Sequence, residues 1–457
     1  MSQSLRRSFP DVAPVRAFLD ASHLELAGRL AEVCARELAP LEPPADDDSA
    51  RRRARELLAA MGAAGLYAPI EAEDLRGCAL TREALGATSP LADAVWALQA
   101  LGTTPILLAG SAELRERWAT PALRGELMAA FAMTEPEAGS DVAAIATTAR
   151  RDGGHYVLDG TKTLISNAGI ADFYVVFAST DREAGRRGIS AFVVPADTPG
   201  VRFVRPIVLS EPHPLGEIAF EGSRVPATHR LGAEGGGFRI GMATLDRLRP
   251  TVGAAACGMA TRALAEALAH TTSRRQFGQP LAEFQLVQEK LAKMATLLDA
   301  ARLLVYRAAW EKDRGAERIT MEAGMAKAFA TEAAQRIIDD AVQLLGGRGV
   351  AVDGPVEHLY RAIRPLRIYE GATEVQWLVV ARNLLRAYEE AGAGRSAATG
   401  DPATGGGGGG GSGARGGVRA AAGGGDSASV PGTASSPAST PAPPSPSASA
   451  PTASPEG

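Results

Sequence analysis

The chain has 457 residues and a formal net charge of -4, from 48 Lys and Arg against 52 Asp and Glu. This balance provides no strongly basic surface, so nucleic-acid binding is not expected. The three cysteines, Cys34, Cys78 and Cys257, are far apart and form no C-x-x-C motif. Neither a disulfide framework nor a zinc site is predicted, and no metal is expected.

The last part of the chain differs in composition from the rest. Between residues 391 and 457, 54 of 67 residues are Gly, Ala, Ser or Pro. Such a segment buries too little apolar surface to offset the entropy lost on folding, so a disordered tail is predicted. Residues 1–390 exceed the size of a single hydrophobic core, and we therefore expect more than one domain.

No uninterrupted apolar run reaches the length of about 18 residues that a membrane helix needs. The N-terminus, MSQSLRRSFPD, has two arginines but no apolar segment after them. A secretory leader is therefore not indicated. The sequence predicts a soluble, cytoplasmic protein that does not enter a membrane.

Apolar periodicity divides the body into three zones. Helical spacing dominates from about Phe18 to Ala130, short strands follow to about residue 235, and the helical period then returns. The predicted fold is α+β and mainly α, with an N-terminal helical domain (1–130), a β domain (131–235) and a C-terminal helical domain (236–390). The last two helices are marked by an apolar face that ends at Gly346 and by the run that starts near Val375.

In the β zone, Asp159-Gly160 between two alternating stretches predicts a two-residue hairpin. About six short strands with no helices between them predict a compact antiparallel barrel or sandwich. The four other predicted strands lie near residues 173–177, 189–194, 201–204 and 217–220. No G-x-G-x-x-G follows a strand, so a Rossmann nucleotide site is not supported.

Two polar segments flank this zone's first strands. FAMTEPEAGSD (131–141) offers hydroxyls, amides and a Gly-Ser pair that suit an anion, but Ser140 or Asp141 as a helix N-cap is the favoured interpretation on chemistry alone. GTKTLISNAG (160–169) has the small hydroxyl residues of many ordinary hairpins and decides nothing by itself. His213, between two prolines, is interpreted as a loop residue.

Two further segments lie in the second helical zone. In RPLRIYEGATEVQ (364–376), Glu370 precedes the last helix and could be a base with a raised pKa, although a lone Glu is more often an exposed carboxylate. In SRRQFGQPLAEFQ (273–285), paired arginines suit a phosphate or a pyrophosphate. A basic helix end that complements the helix dipole is the alternative.

Taken together, six motifs in a fixed order resemble the acyl-CoA dehydrogenases, flavoenzymes that introduce an α,β double bond into an acyl-CoA thioester. The motifs are TEPEAGSD, GTKTLISN, SRVPATHRLGAEGGGF, SRRQFGQPLAEFQ, AVQLLGGRG and IYEGATEVQ, within about residues 18–388. The resemblance implies a helical N-terminal domain, a middle β-barrel and a C-terminal four-helix bundle. It also implies FAD as cofactor, an electron-transferring flavoprotein as partner, and a homotetramer or homodimer.

The resemblance also assigns residues to FAD. Two segments of the β zone would contact the flavin, with Thr134 hydrogen-bonding it and the Ser166 hydroxyl near flavin N5. The implied contacts there are Phe131, Met133, Thr134, Gly139, Ser140, Leu164, Ile165 and Ser166. The implied contacts with the pyrophosphate and adenosine, partly from a neighbouring subunit, are Arg274, Gln276, Phe277, Gln285, Gln343, Gly346, Gly347, Ala372 and Glu374.

For the substrate, the resemblance implies contacts from Ser140, Asp246, Arg249 and Gly371. Glu370 falls on the family's catalytic base, which removes the α-proton while a β-hydride leaves for flavin N5. A second lineage of the family has its base where this chain has Leu248, which cannot act as one. The backbone amide of Glu370 and a ribityl hydroxyl of FAD would stabilise the thioester oxygen.

The chain departs from the family pattern in two segments. In the flavin segment, Leu164 replaces a common Trp and removes an aromatic surface, while Ser166 replaces a Thr and keeps its hydroxyl. Ala372 to Glu374 departs from a common Thr-x-Gln pattern, so a hydroxyl is lost at Ala372 that Thr373 or the backbone is expected to replace. The Leu164 change keeps an acyl-CoA oxidase, which uses oxygen, as an alternative. A non-catalytic acyl-CoA or flavin-binding protein is the other alternative, which the intact Glu370 argues against.

Overall fold

A computed structural model describes residues 11–39, 43–352 and 354–398. Within these residues, helices come first, strands occupy the middle and helices follow, which confirms the predicted α+β, mainly α fold. The last helix continues to Ala398, into the segment that the composition predicts to be disordered. Alanine has the highest helix propensity, and AGAGRSAA is rich in it. Residues 399–457, the rest of the predicted tail, lie outside the described residues.

The N-terminal helical region has seven helices among the described residues. Side-chain oxygens accept hydrogen bonds from the first turn of several of them, as Asp46 does for α2 and Ser89 for α5, so their starts are set locally. The helices are α1 (Ala21–Val33), α2 (Asp47–Ala63), α3 (Ala68–Glu71), α4 (Leu75–Thr88), α5 (Pro90–Ala109), α6 (Ala112–Leu114) and α7 (Thr120–Leu123). Short π-helical turns, Cys34–Leu38 and Arg115–Ala119, continue α1 and α6.

Helix α5 is apolar around most of its circumference. It is the one helix in the described part of the chain that is long and apolar enough to cross a membrane, but 78% of its apolar window is buried inside the protein. An apolar helix enclosed on all sides belongs to a core. Helix α5 is therefore a core helix of the N-terminal region.

The middle region is one eight-stranded sheet and confirms a β domain between two helical regions. Its path is β6-β7-β3-β2-β4-β5-β8, and β1 adds to β4 in parallel. Most pairs are antiparallel, and the end strands β6 and β8 are not paired with each other. The strands are β1 (Ala129–Ala132), β2 (Thr148–Asp152), β3 (His155–Ser166), β4 (Phe173–Ser179), β5 (Ile189–Pro195), β6 (Val201–Pro206), β7 (Leu215–Pro226) and β8 (Arg230–Leu231).

The predicted hairpin at Asp159-Gly160 is wrong, because β3 runs straight through both residues. The ladder with β7 shifts between Leu158 and Gly160, which is the signature of a bulge. Gly160 has a φ of 150°, and a Cβ there would lie 2.5 Å from Thr147 Oγ1. The glycine therefore marks a bulge with a close neighbour. An Asp-Gly pair in the sequence does not distinguish such a bulge from a turn.

The C-terminal region is helical, with a two-stranded hairpin of β9 (Arg275–Gln276) and β10 (Gln279–Pro280) after its first helix. Helix α8 packs against α4 on one side and α10 on the other. Gly86 and Gly258 allow the close contact with α4, since a Cβ at either would meet backbone of the facing helix. The helices are α8 (Gly237–Ser273), α9 (Gln285–Asp313), α10 (Thr320–Leu345), α11 (Pro355–Ile363) and α12 (Thr373–Ala398).

Candidate active site

Glu370 lies in a tight turn between a short helical segment, Arg364–Arg367, and α12. Glu370 and Gly371 have φ values of 53° and 97°. A left-handed residue other than Gly costs on the order of 1–3 kcal/mol and persists only where its surroundings hold it. Two cations do so here, because Arg249 Nε donates to the Glu370 carbonyl at 3.0 Å and Lys327 Nζ donates to the Gly371 carbonyl at 2.7 Å.

Glu370 is half-buried, and one oxygen of its carboxyl group is enclosed beside these cations. Its Oε2 is buried and has no hydrogen-bond partner among the described residues. Burial raises the pKa of this carboxyl, while the charges of Arg82, Arg249 and Lys327 oppose that rise. A buried carboxylate oxygen without a protein partner can accept a proton from a ligand. The exposed-carboxylate interpretation therefore does not describe this residue.

Asp246 and Arg249 lie one helical turn apart on α8 and form an ion pair. The other carboxylate oxygen of Asp246 accepts a hydrogen bond from Thr320 Oγ1 at 2.9 Å. Arg249 is therefore held by Asp246 on one side and binds the Glu370 backbone on the other. The structure brings Asp246, Arg249, Glu370 and Gly371 together.

A buried ion pair near this turn was not predicted. Arg82 on α4 donates to both carboxylate oxygens of Asp93 on α5, at 2.8 and 2.9 Å, and to Thr251 Oγ1 on α8 at 3.1 Å. Both charged side chains are only 2% exposed. Thr251 follows Arg249 by two residues, so the pair reaches the Glu370 turn through α8. The available signal was two charges inside otherwise apolar helices.

Two more polar residues of the turn were missed. Lys327 on α10 is buried, and burial lowers its pKa to about 8 against the opposing charge of Glu370. Gln376 is buried with no partner for either amide atom. Gly371 has a φ of 97°, which favours glycine, and a Cβ there would lie 2.0 Å from Gln376 Nε2. Polar atoms that lack partners in one place mark where a ligand's polar groups would bind.

The two predicted flavin segments lie side by side at the end of β1 and β3. Thr163 N donates to the Thr134 carbonyl at 3.0 Å, and buried Lys162 donates to the Met133 carbonyl at 3.0 Å and to Glu135 at 2.7 Å. The Met133 side chain is buried and would meet a Cβ at Gly241, about 12 Å along α8 before Arg249. This pair of segments therefore borders the same half of α8 as Glu370.

Side chains in these segments face different surroundings. Ile165 is buried, whereas Thr134 and Ser166 are half-buried and Gly139 and Ser140 are exposed. Leu164 is 53% exposed and has a φ of 55°.

The favoured N-cap interpretation is wrong, because Asp141 precedes a 3-10 turn, Val142–Ala144, without a side-chain hydrogen bond to it.

His213 is in a loop, as predicted, but it has a partner that the sequence did not reveal. Its Nε2 lies 2.7 Å from Ser166 Oγ. Burial, followed by the charge of Arg51, lowers the pKa of His213 to about 4. The imidazole is therefore neutral at physiological pH.

Seven of the remaining predicted FAD residues lie at the far end of the C-terminal region. Arg274 follows α8, and from residue 249 to 274 a helix rising about 1.5 Å per residue spans about 37 Å. All of them are exposed, and Phe277 is 95% exposed. These residues are Arg274, Gln276, Phe277, Gln285, Gln343, Gly346 and Gly347. Ala372 and exposed Glu374 lie instead at the Glu370 turn.

One group of residues in the described part of the chain has metal-ligand types close together: His23, Asp74 and Asp313. Its atoms are already engaged. His23 Nδ1 accepts from Asp20 N at 3.1 Å, and Nε2 contacts Asp74 Oδ1 at 3.0 Å. Asp313 accepts from Arg76 Nε at 2.7 Å. The group is a hydrogen-bonded contact between α1, α4 and α9.

A buried, unpartnered carboxylate oxygen in a cation-held turn suits acid–base chemistry. Residues 20–126, 130–223 and 235–385 match the N-terminal, middle and C-terminal domains of acyl-CoA dehydrogenases. The chain belongs to the acyl-CoA dehydrogenase family, as its motifs indicated. It is a FAD-dependent oxidoreductase that dehydrogenates acyl-CoA.

Three relatives illustrate the similarity. The 3-(aryl)acrylate reductase of Clostridium sporogenes is 46% identical over 285 residues, which are 62% of this chain and 75% of the relative. The solved butyryl-CoA dehydrogenase of Megasphaera elsdenii is 33% identical with a TM-score of 0.75, covering 80% of this chain and 99% of that one. A solved structure described as the electron transferring flavoprotein of Acidaminococcus fermentans contains a chain that is 36% identical with a TM-score of 0.75, at coverages of 80% and 99%.

Proposed function

We propose that the chain converts an acyl-CoA thioester to a 2-enoyl-CoA, with Glu370 as the base. The observation that supports this is the buried Oε2 of Glu370, which lacks a protein partner. The α-proton moves to this carboxylate, and the β-hydrogen leaves with its electron pair. The raised pKa of Glu370 makes the carboxylate a stronger base than an exposed one.

FAD, when bound, supplies the hydride acceptor for this reaction. The residues present fit it, because half-buried Thr134 and Ser166 and exposed Ser140 offer hydroxyls in two segments that lie side by side. Leu164, which lies between them and is 53% exposed, would be covered by a bound ring. These residues would hold the isoalloxazine end.

The other FAD contacts would come from a second copy of the chain. Arg274 is about 37 Å along α8 from Arg249, so the two ends cannot serve one compact site in the same subunit. The exposed apolar side chains there, Phe277 at 95% and Leu286 at 78%, are typical of a surface that another protein covers. A homotetramer or homodimer is therefore proposed.

Around the thioester, the turn itself does the positioning. Arg249 and Lys327 hold the backbone carbonyls of Glu370 and Gly371. They therefore fix the turn that carries the Glu370 amide and carboxylate. That amide is proposed to donate to the thioester oxygen. Electrons are proposed to pass to an electron-transferring flavoprotein, and the enzyme to work in the cytoplasm on a free acyl-CoA.

The test is Glu370→Gln, compared with Glu389→Gln on the exposed side of α12. Both FAD-loaded proteins are mixed anaerobically with a panel of straight, branched, cyclic, aryl and dicarboxylic acyl-CoAs. We expect acyl-CoA to bleach the flavin of the wild type and of Glu389→Gln. Glu370→Gln should retain FAD and lose at least about a thousandfold in bleaching rate. Full bleaching of Glu370→Gln would refute the proposed base, and peroxide release in air would favour the oxidase alternative.

A further inference from the structure

The loop between β6 and β7, residues 207–214, presents His213 to β3. His213 Nε2 lies 2.7 Å from Ser166 Oγ, across 47 residues of sequence. Pro212 and Pro214 flank the histidine and restrict the backbone on both sides. The contact joins a neutral imidazole to a hydroxyl on the exposed flavin segment.

The same loop is anchored at both ends of this contact. Glu211, which is 8% exposed, pairs with His358 at 3.1 Å and with Arg361 at 3.0 Å, both on α11. On the other side, Asn167 N donates to the Pro214 carbonyl at 2.7 Å. His213 therefore has little freedom to leave Ser166, and its position depends on both β3 and the C-terminal helices.

A serine hydroxyl has one proton and rotates freely unless a neighbour fixes it. A neutral imidazole nitrogen either donates or accepts, according to its tautomer. If Nε2 accepts, the hydroxyl proton points to His213 and the lone pairs of Ser166 face outward. If Nε2 donates, the hydroxyl proton faces outward. In both cases, the histidine sets the direction in which Ser166 meets a ligand.

We propose that His213 is a positioning residue that orients the Ser166 hydroxyl towards the redox-active nitrogen edge of bound FAD. The inference rests on the proposed function, because it takes Ser166 as a neighbour of the isoalloxazine. An outward lone pair would stabilise reduced flavin, whose ring N–H is a donor. An outward proton would stabilise oxidised flavin, whose ring nitrogen is an acceptor.

The experiment measures the reduction potential of FAD-loaded protein in anaerobic titrations. The variants are His213→Leu, Ser166→Ala and the double variant. We expect each single change to alter the ratio of affinities for oxidised and reduced FAD about tenfold, which is about 30 mV for two electrons. The double variant should shift no further than one single variant, because both remove the same oriented group.

The sign of the shift reports the orientation. A fall in potential in His213→Leu supports outward lone pairs, and a rise supports an outward proton. His213→Gln, whose amide can donate or accept, should restore most of the wild-type potential. His155→Gln, at the opposite end of β3, is the matched control and should leave it unchanged.

Three results would overturn the inference. An unchanged potential in His213→Leu would do so, as would full additivity with Ser166→Ala. A shift in His213→Gln as large as that in Ser166→Ala would also do so, and this comparison remains available if the leucine protein does not fold. A wild type that is bleached by acyl-CoA while the variants keep its potential leaves the proposed function intact. A wild type that takes up no FAD refutes both.

Discussion

The two ends of α8 carry predicted site residues in opposite surroundings. At the inner end, Arg249 is 9% exposed and binds the Glu370 carbonyl and the Asp246 carboxylate. At the outer end, Arg274 to Gly278 are exposed, and Arg275 binds only the carbonyl of Gly278 in its own hairpin.

This difference separates two kinds of functional residue. Buried charges are stable only when they are paired, and the pairs of the inner end, Arg82 with Asp93 and Arg249 with Asp246, are formed within the subunit. Exposed side chains need no partner within the subunit. The outer end has the apolar and basic groups that a second copy of the chain and a dinucleotide would cover. The inner end should therefore respond to mutation through stability and acid–base chemistry, and the outer end through assembly and FAD retention.

The largest contrast is expected in stability. Arg82→Met leaves Asp93 as a buried, unpaired charge, and breaking such a pair typically costs about 3–5 kcal/mol. Phe277→Ala changes a side chain that is 95% exposed, and we expect it to lower the free energy of unfolding of the subunit by less than about 0.5 kcal/mol. Urea unfolding of the FAD-loaded proteins, at one fixed protein concentration, measures both free-energy changes.

The double variant Arg82→Met, Asp93→Leu separates charge from shape. Since it removes both charges, it should recover most of the loss of Arg82→Met. If the single variant unfolds at the wild-type urea concentration, the pair does not support the inner end, and the contrast between the two ends of α8 fails.

The next effect tests whether the ends of two chains share a site. We expect Arg274→Ala with Gln343→Ala to lower FAD affinity about 10- to 100-fold, since it removes a charged and a neutral contact to the dinucleotide. Arg202→Ala, on an exposed edge strand and paired only with Glu221, is the control and should not change affinity.

Mixed oligomers of two variants give a stricter test of whether two subunits share a site. Hybrids of the outer-end variant with Glu370→Gln contain sites with an intact outer end from one subunit and an intact Glu370 from the other. At FAD concentrations that leave the outer-end variant unloaded, such hybrids should regain acyl-CoA bleaching that neither parent shows. If the refolded mixtures stay inactive while wild type treated in the same way recovers, the site lies within one subunit.

The sequence predicted what local signals encode. The helix–sheet–helix order followed from apolar periodicity, and the Glu370 turn from a Glu-Gly step ahead of a helix. The chemistry assigned to single residues came from the family resemblance, which six motifs spread along the chain carry.

The missed features depend on tertiary contacts. His213 and Ser166 are 47 residues apart, Lys327 and Gly371 are 44 apart, and Thr251 lies 169 residues from Arg82. Nothing in the local pattern says which distant group a buried charge will meet. The hairpin prediction at Gly160 was wrong for the same reason. Glycine is needed there because a Cβ would contact Thr147, which lies outside its own strand.

The smallest predicted effect is a shift in the pH dependence of flavin bleaching. Glu370 acts when ionised, so the rate should rise with pH through a pKa above the ordinary glutamate value. Lys327 stabilises the carboxylate, and Lys327→Met should move the midpoint to higher pH, by about one unit. Asp93→Asn removes a negative charge and frees that of Arg82, so the midpoint should move to lower pH.

Opposite shifts from two buried residues that do not touch substrate would be an effect of charge alone. Arg274→Ala serves as the control from the outer end, because a charge about 37 Å along α8 acts over several Debye lengths and should leave the midpoint in place. Shifts of the same sign in Lys327→Met and Asp93→Asn would instead point to a moved turn. The midpoint would then report the position of Glu370, and the inner end would be held by packing more than by its charges.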